Sequence, residues 1–274
     1  MHAYREAPHA PRRITGTRPK TYDLLFYILL MAAGIALILL GAERLGYHWQ
    51  WYRVPRYLVT HDGTHTVPGP LLQGLMVTFH ITGISLVAAN AIGLLTALFR
   101  LSGSLAARTL SRAYLEFFRN TPLLTQLFFI YFVIAPVFKL SAFTSAVLGL
   151  SLFEGAYISE IIRSGIVSIH KGQWEASSSL GLSTLQTYVH VILPQALRRV
   201  LPPLTSQAIS LIKDSSLVSV IAIYDLTMRA SVIVSETFLT FEIWFAVAAI
   251  YLMIAAVLST GAHALEVRLK GKFA

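Results

Sequence analysis

Ionisable side chains occur inside otherwise apolar runs of this sequence, where each needs a partner or a function. Glu154 lies in the middle of one run. A second run contains, in succession, Lys213, Asp214, Ser215 and Ser216. If these runs cross a membrane, each ionised group costs about 3 kcal/mol at the helix centre. We expect these residues to face a polar pathway, and a structural charge cluster at a subunit interface is the alternative.

Two further acid–base pairs are spaced for local ion pairing. Glu160 precedes Arg163 by three residues, and Glu116 precedes Arg119 by the same interval. Residues three apart lie on the same face of a helix and can form an ion pair. We expect both pairs to be structural rather than to contact a substrate.

Sequence signatures of enzymes are missing from the chain. It contains no cysteine, which excludes disulfides, thiolate metal sites and a cysteine nucleophile. Gly271 and Lys272 are followed by Phe273, so the phosphate loop of ATPases is absent, as are the zinc-protease and serine-hydrolase motifs. We therefore expect no enzymatic activity, and any ATP chemistry belongs to another chain.

A polar segment from Ser168 to Pro194 predicts a pair of short helices. Gln173–Leu180 is the first helix, with Glu175 in its first turn, where a negative charge suits the helix dipole. Gly181 ends it, because glycine tolerates the left-handed conformation.

The second helix of this segment carries an apolar stripe. Ser183 and Gln186 form a capping box at its start, and Pro194 predicts its end or a kink. The stripe has helical spacing and consists of Leu185, Tyr188, Val189 and Ile192. Two interpretations remain open: a hairpin that lies on the membrane surface, or a surface that docks a partner protein.

The composition indicates that the elements positioning these residues are membrane helices. Hydrophobic residues make up 55% of the 274-residue chain and charged residues only 13%, against about 25% in soluble proteins. Mean hydropathy is +0.63. Apolar runs of about twenty residues cross a bilayer as helices. We predict an all-α polytopic membrane protein with about six spans: Leu24–Ala42, Leu71–Phe99, Pro122–Val137, Phe143–Ile162, Leu201–Val220 and Ile243–Ala262.

The distribution of basic residues sets the expected orientation. The net charge is +9, and most arginines and lysines flank the spans on one side, together with both termini. Cytoplasmic loops carry this excess, so both termini are predicted to be cytoplasmic. The charge thus indicates topology rather than nucleic-acid binding. The first span is too long for a signal peptide and lacks a cleavage site, so we expect it to be retained.

Three segments need separate interpretation. Residues 1–22 read as a disordered, basic cytoplasmic tail with several prolines. Residues 43–70 are predicted to lie on the external side of the membrane and are rich in tryptophan and tyrosine. This composition favours an anchor at the membrane interface, and a binding role is the alternative. Pro202 and Pro203 are expected to interrupt the fifth span.

Several motifs together resemble the polar-amino-acid permeases of ATP-binding-cassette (ABC) importers. Glu175 and Ala176, Gly181, and then Val191, Leu193 and Pro194 match the family's EAA pattern, with Ser177 in place of its second alanine and Val191 in place of isoleucine. Other matching stretches are Tyr114–Leu124 (YLEFFRNTPLL), Glu160–Gly165 (EIIRSG), Lys171–Glu175 (KGQWE), Leu193–Ala196 (LPQA) and Leu211–Leu217 (LIKDSSL). Asn120 departs from the family's usual glycine.

The resemblance implies a fold, partners and a division of labour. It implies the type I transmembrane fold over residues 71–269, with residues 23–70 as an extra helix and external loop. A second permease, identical or homologous, two ATPase subunits that bind ATP and Mg, and an external substrate-binding protein complete such an importer in a bacterial inner membrane. The coupling residues in the loop 168–194 would be Glu175, Ala176, Gly181, Val191, Leu193 and Pro194.

The resemblance also bears on the charges within the spans. An amino acid carries an ammonium and a carboxylate, so a pathway containing both signs of charge suits it. A secondary transporter without an ATPase is the alternative function. It would be expected to show two related halves, which the sequence does not.

Overall fold

The protein is described here from a computed structural model, which describes residues 21–44, 46–62 and 65–271. The predicted N-terminal tail, except its last two residues, lies outside them. The helices are α1 Thr21–Arg44, α2 Pro55–Leu58, α3 Pro70–Leu101, α4 Leu105–Asn120, α5 Leu123–Phe128, α6 Ala135–Phe138, α7 Ala142–Val167, α8 Lys171–Ser179, α9 Thr184–Thr187, α10 Leu193–Asp214, α11 Leu226–Thr237 and α12 Thr240–Gly271.

Shorter segments connect or extend these helices. Two are 3-10 helices, Trp51–Arg53 and Ser215–Ile221, and two are π-helical, Phe129–Ile134 and Tyr188–Ile192. Strands β1 (Val59–Asp62) and β2 (His65–Pro68) pair as an antiparallel hairpin. The prediction of a helical membrane protein is confirmed, with this small hairpin as an addition between α2 and α3.

Three helices are long and apolar enough to cross a membrane: α3, α7 and α12. Two bent pairs raise the number of candidate spans among the described residues to as many as five. The first pair joins Leu105–Asn120 to Leu123–Phe138 at 108°, and the second joins Thr184–Ile221 to Leu226–Thr237 at 50°. The first predicted span, Leu24–Ala42, corresponds to α1, where Asp23–Gly34 forms a shorter apolar stretch.

Helices α3 and α7 form the centre of the unit that spans residues 50–274, and small residues let them approach closely. A Cβ atom on Gly93 would lie 2.5 Å from Cγ2 of Ile158, and one on Gly155 would lie 2.9 Å from Cγ2 of Ile92. Between membrane helices, such small residues permit backbone contact. This close packing fixes the position of α7, which carries Glu154 and Glu160.

The prolines of the fifth span do not interrupt it, contrary to the prediction. Helix α10 runs without a break through Pro202 and Pro203. The carbonyl groups that lose their amide donors belong to Arg198 and Arg199, which are exposed, so water can satisfy them. The regular helix changes instead at Ser215, where the 3-10 segment begins.

The segment from Gln50 to Pro68 packs against the ends of the long helices. Gln50 donates its backbone N–H to the buried carboxylate of Glu242 in α12, at 2.6 Å. Val54 is buried, whereas 80% of Tyr52 is exposed. The ring of Trp51 lies 6.3 Å from that of Phe245 on α12. This segment is therefore tied to the helical core, and its role as an interfacial anchor stays a prediction.

Candidate functional site

Helices α8 and α9 form the predicted pair of short helices, and the π-helical segment Tyr188–Ile192 extends α9. We call residues 171–192 the α8–α9 hairpin. The His170 side chain accepts a hydrogen bond from the backbone N–H of Gly172 at 3.1 Å, which caps the start of α8. Gly181 has a φ angle of +73°, the left-handed conformation expected after a helix end. Local sequence signals therefore define the hairpin turn as predicted.

The capping box at the start of α9 is also confirmed. Backbone N–H groups of Ser183 and Gln186 each donate to the other residue's side chain, at 2.9 and 3.3 Å. However, the helix neither ends nor kinks sharply at Pro194, as the sequence predicted. It passes through the π-helical segment Tyr188–Ile192 directly into α10. The wider π turn precedes the proline, whose missing N–H would disrupt a regular α turn.

One side of the α8–α9 hairpin packs against its own chain. The rings of Trp174 and Tyr188 meet edge to face, with centroids 5.1 Å apart. Ile192 is fully buried in a small core cluster with Ile166 and Ile169. These contacts hold the hairpin against the end of α7.

The opposite side of the hairpin is exposed and partly apolar. Leu180 is 79% exposed, Leu185 74% and Val189 47%. Glu175 on α8 is also exposed and forms an ion pair with Lys171 at 3.2 Å. The predicted single apolar stripe is thus divided: Tyr188 and Ile192 face inward, whereas Leu185 and Val189 face outward.

The predicted coupling residues occupy two regions. Ala176 and Gly181 are exposed on the hairpin, close in sequence to Glu175. Leu193 and Pro194 are also exposed but lie beyond the π-helical segment, at the start of α10. Val191 instead packs partly buried against the core cluster around Ile192.

A contact that the sequence did not predict joins α8 to α10. Nε2 of Gln195 donates to Oε1 of Gln173 at 3.1 Å. The hairpin is therefore fastened directly to the helix that carries Asp214.

Glu154 is fully buried between α7 and α10. Its Oε2 accepts a hydrogen bond from Nε2 of Gln207 at 2.5 Å. The carboxyl group of Asp214 also interacts with that of Glu154. Sequence reasoning missed Gln207, although it lies seven residues before Asp214 and therefore on the same face of α10.

The remaining predicted pathway residues differ in their surroundings. Lys213 is exposed and interacts electrostatically with Asp214, and Ser216 is partly buried. Ser215 is fully buried, and its hydroxyl donates to the carbonyl of Ile212 at 2.7 Å. The structure thus brings the carboxyl groups of Glu154 and Asp214 together, leaves Lys213 exposed next to Asp214, and places the Ser215 hydroxyl against its own helix.

Glu160 forms a larger ion-pair network than the sequence predicted. The expected pair with Arg163 is present at 2.8 Å. Arg100 of α3 also pairs with Glu160, and Arg119 approaches it to 3.9 Å. The prediction that Arg119 pairs with Glu116 is wrong, because the Glu116 carboxylate accepts from Asn120 at 2.8 Å instead.

Comparison with known proteins places these features in a family. The family model described as binding-protein-dependent transport system inner membrane component matches residues 89–271. The glutamine transport system permease protein GlnP of Escherichia coli (strain K12) is 42% identical over 203 residues, covering 73% of this chain and 93% of that protein. The L-cystine transport system permease protein TcyB of Bacillus subtilis (strain 168) is 41% identical over 204 residues, covering 73% and 87%.

Solved structures show the same architecture. The crystal structure of an amino acid ABC transporter with histidines matches with a TM-score of 0.69 and 36% identity, covering 73% of this chain and 94% of that one. An inward-facing structure of the MetNI methionine ABC transporter has a TM-score of 0.62 at 18% identity, covering 73% and 95%, and supports the fold alone.

Proposed function

The chain belongs to the family of binding-protein-dependent transport system inner membrane components, and we propose that it carries a polar amino acid, with glutamine the first candidate. It is the permease subunit of an ABC importer for amino acids, and ATP hydrolysis resides on a separate subunit. The family assignment favours this function over a secondary transporter.

The two-sided α8–α9 hairpin is the observation that carries the proposed mechanism. Its inner side is held by Trp174, Tyr188 and Ile192, while Leu180 and Leu185 are exposed on its outer side. Exposed apolar side chains on a rigid element favour a protein partner. We assign this outer side, with Glu175, Ala176 and Gly181, to the docking of an ATPase subunit, which holds ATP and Mg.

The polar region between α7 and α10 is the proposed substrate pathway. Glu154 and Asp214 offer acidic groups to a substrate ammonium, and Lys213 offers a cation to its carboxylate. Gln207 holds the Glu154 carboxylate in place. Buried ionisable groups in membrane proteins line pathways or pair with one another, and both apply to this arrangement.

The wider assembly follows from the family. Membership in a binding-protein-dependent ABC system implies ATPase and binding-protein partners, and the chain is a multi-pass inner-membrane component. We propose that a second permease, identical or homologous, completes the pathway. We further propose that the hairpin and both termini lie in the cytoplasm, on the same side as the ATPase, and that the segment from Gln50 to Pro68 lies on the binding-protein side.

Co-purification with the ATPase tests the docking surface. Leu185→Asp places a charge where the wild type has an exposed apolar side chain. The hairpin should therefore fold normally, but the ATPase should no longer co-purify with the permease. Thr184→Asp is the matched control, because it adds the same charge one residue away, at a helix N-terminus that favours it. ATPase retained by the wild type and Thr184→Asp but lost in Leu185→Asp supports the proposal.

Transport measurements test the energy source. Glutamine uptake into proteoliposomes that contain the permease, its ATPase and binding protein should require ATP. Uptake that persists without ATP, driven by an ion gradient, would refute the ABC mechanism for this chain.

A further inference from the structure

The network around Glu160 has more positive than negative charge. Three guanidinium groups, those of Arg100, Arg119 and Arg163, surround a single carboxylate and leave a net charge of +2. The network is accessible, since 41% of the Arg119 side chain and 30% of the Arg163 side chain are exposed. An additional anion can therefore approach it from outside the protein.

The arginines retain hydrogen-bond donors for such an anion. A guanidinium group has five N–H donors. Arg163 donates to Glu160 from one terminal nitrogen, Nη2, and Arg119 approaches the same carboxylate only to 3.9 Å. The Arg119 guanidinium lies over the ring of Tyr157, 5.4 Å from the ring centroid. This contact holds the Arg119 side chain of α4 against α7. Arginines arranged in this way suit the oxygens of a phosphate.

An apolar cavity of about 470 Å³ lies beside this network, at the bend between α4 and α5. Its lining includes Phe117, Phe129, Ile134, Leu148 and Leu152. An alkyl chain fits such a lining.

Two polar side chains at the cavity, those of Thr121 and Gln126, have their donor groups occupied inside the protein. The hydroxyl of Thr121 donates to the carbonyl of Phe117 at 2.8 Å. Nε2 of Gln126 donates to the carbonyls of Phe118 and Thr121, at 2.9 and 3.0 Å. These groups therefore offer the cavity no free donor.

Helices α4 and α7 both run from the cavity to the arginine network. Leu148 and Leu152 of α7 line the cavity, and Glu160 follows Leu152 two turns later, roughly 12 Å further along the same helix. Arg119 follows Phe118 directly in α4, and Phe118 also lines the cavity. One molecule with an anionic head and an alkyl chain can occupy both places at once.

We propose that this groove binds an anionic phospholipid, with its phosphate on Arg119 and Arg163 and an acyl chain in the cavity. Basic pockets between membrane helices recognise anionic lipid headgroups. The membrane supplies this ligand continuously, and the cavity opens beside helices that are predicted to lie in the bilayer. The lipid would brace the bend between α4 and α5 against α7.

Lipid binding to the purified permease–ATPase complex in detergent tests the proposal. Phosphatidylglycerol is titrated against phosphatidylcholine, with bound lipid counted by native mass spectrometry. Arg119→Ala should weaken phosphatidylglycerol binding about fivefold, and Arg119→Lys should restore part of it. Thr125→Phe, which fills the cavity from an exposed position, should weaken long-chain but not short-chain phosphatidylglycerol. Arg112→Ala, an exposed arginine of the same helix, is the matched control and should bind normally.

Four results would overturn the proposal. Equal binding of the two lipids would show no headgroup recognition, and an equal loss in Arg112→Ala would show only general surface attraction. Competition by glycerol phosphate at the same concentration as the lipid would show a soluble anion site. A cross-link from Thr125→Cys to the second permease in the assembled complex would show that a protein helix fills the cavity.

Discussion

The hydrogen bond between Gln207 and Glu154 leads to a quantitative prediction. In Gln207→Leu, the Glu154 carboxylate stays buried but loses its 2.5 Å donor. Losing this hydrogen bond leaves a buried acceptor without its donor, which costs about 2 kcal/mol. We expect the free energy of unfolding of the permease to fall by about 2 kcal/mol, which lowers the melting temperature by roughly 5 °C.

Glu154→Gln separates a structural role from a role in transport. The two amide side chains of this variant can still hydrogen-bond, so we expect stability to be unchanged or higher. If Glu154 binds the substrate ammonium, glutamine uptake should fall at least about tenfold, because a charge-assisted contact of about 1.4 kcal/mol or more is lost.

The assay pairs thermal unfolding in detergent with uptake into proteoliposomes. Ser151→Ala is the matched control, since Ser151 is buried on the same helix and makes only a long contact of 3.4 Å to the carbonyl of Ser85. Ser151→Ala should change neither the melting temperature nor glutamine uptake appreciably. Unchanged uptake in Glu154→Gln would remove Glu154 from the pathway and leave it a structural residue.

Other predictions concern packing and the hairpin. Gly93→Ala places a Cβ atom 2.5 Å from Ile158 and should cost about 2 kcal/mol in thermal unfolding, whereas Gly83→Ala, which meets nothing within 4 Å, should not destabilise the protein. Gly181→Ala strains a residue with φ of +73° and should destabilise the hairpin by about 1 kcal/mol, seen as faster hydrogen exchange in α8. Ser183→Ala removes the cap of α9 and should cost about 1 kcal/mol, seen as faster proteolysis within the hairpin while uptake without protease is retained.

Local signals in the sequence predicted the hairpin well. The Ser183–Gln186 capping box and the turn at Gly181 depend on residues only a few positions apart, so their geometry follows from the sequence itself. Three of the six predicted spans correspond to the long apolar helices α3, α7 and α12, because each is defined by its own apolar composition. The other three correspond to the two bent pairs and to the shorter apolar stretch in α1.

Sequence reasoning failed where the outcome depends on distant residues or on how a helix adapts. Arg119 pairs with Glu160 rather than with Glu116, because folding brings α4 and α7 together. Gln207 gained its importance only through contact with Glu154 on another helix. Proline breaks a helix when its lost hydrogen bonds cannot be replaced, and at Pro194 a π turn allowed the helix to continue.

The unbroken helix from Thr184 to Ile221 determines which movements can be transmitted from the hairpin to the region around Asp214. It is roughly 55 Å long at 1.5 Å per residue and includes both the outer side of the hairpin and the region around Asp214. If the chain were hinged at Pro194, a movement of the hairpin could only shift the helix beyond the hinge and could not rotate it. A continuous helix also transmits rotation about its own axis, so a small twist applied at Leu185 would turn Gln207 and Asp214 relative to Glu154. In the proposed pathway, that rotation would change the groups that a substrate meets.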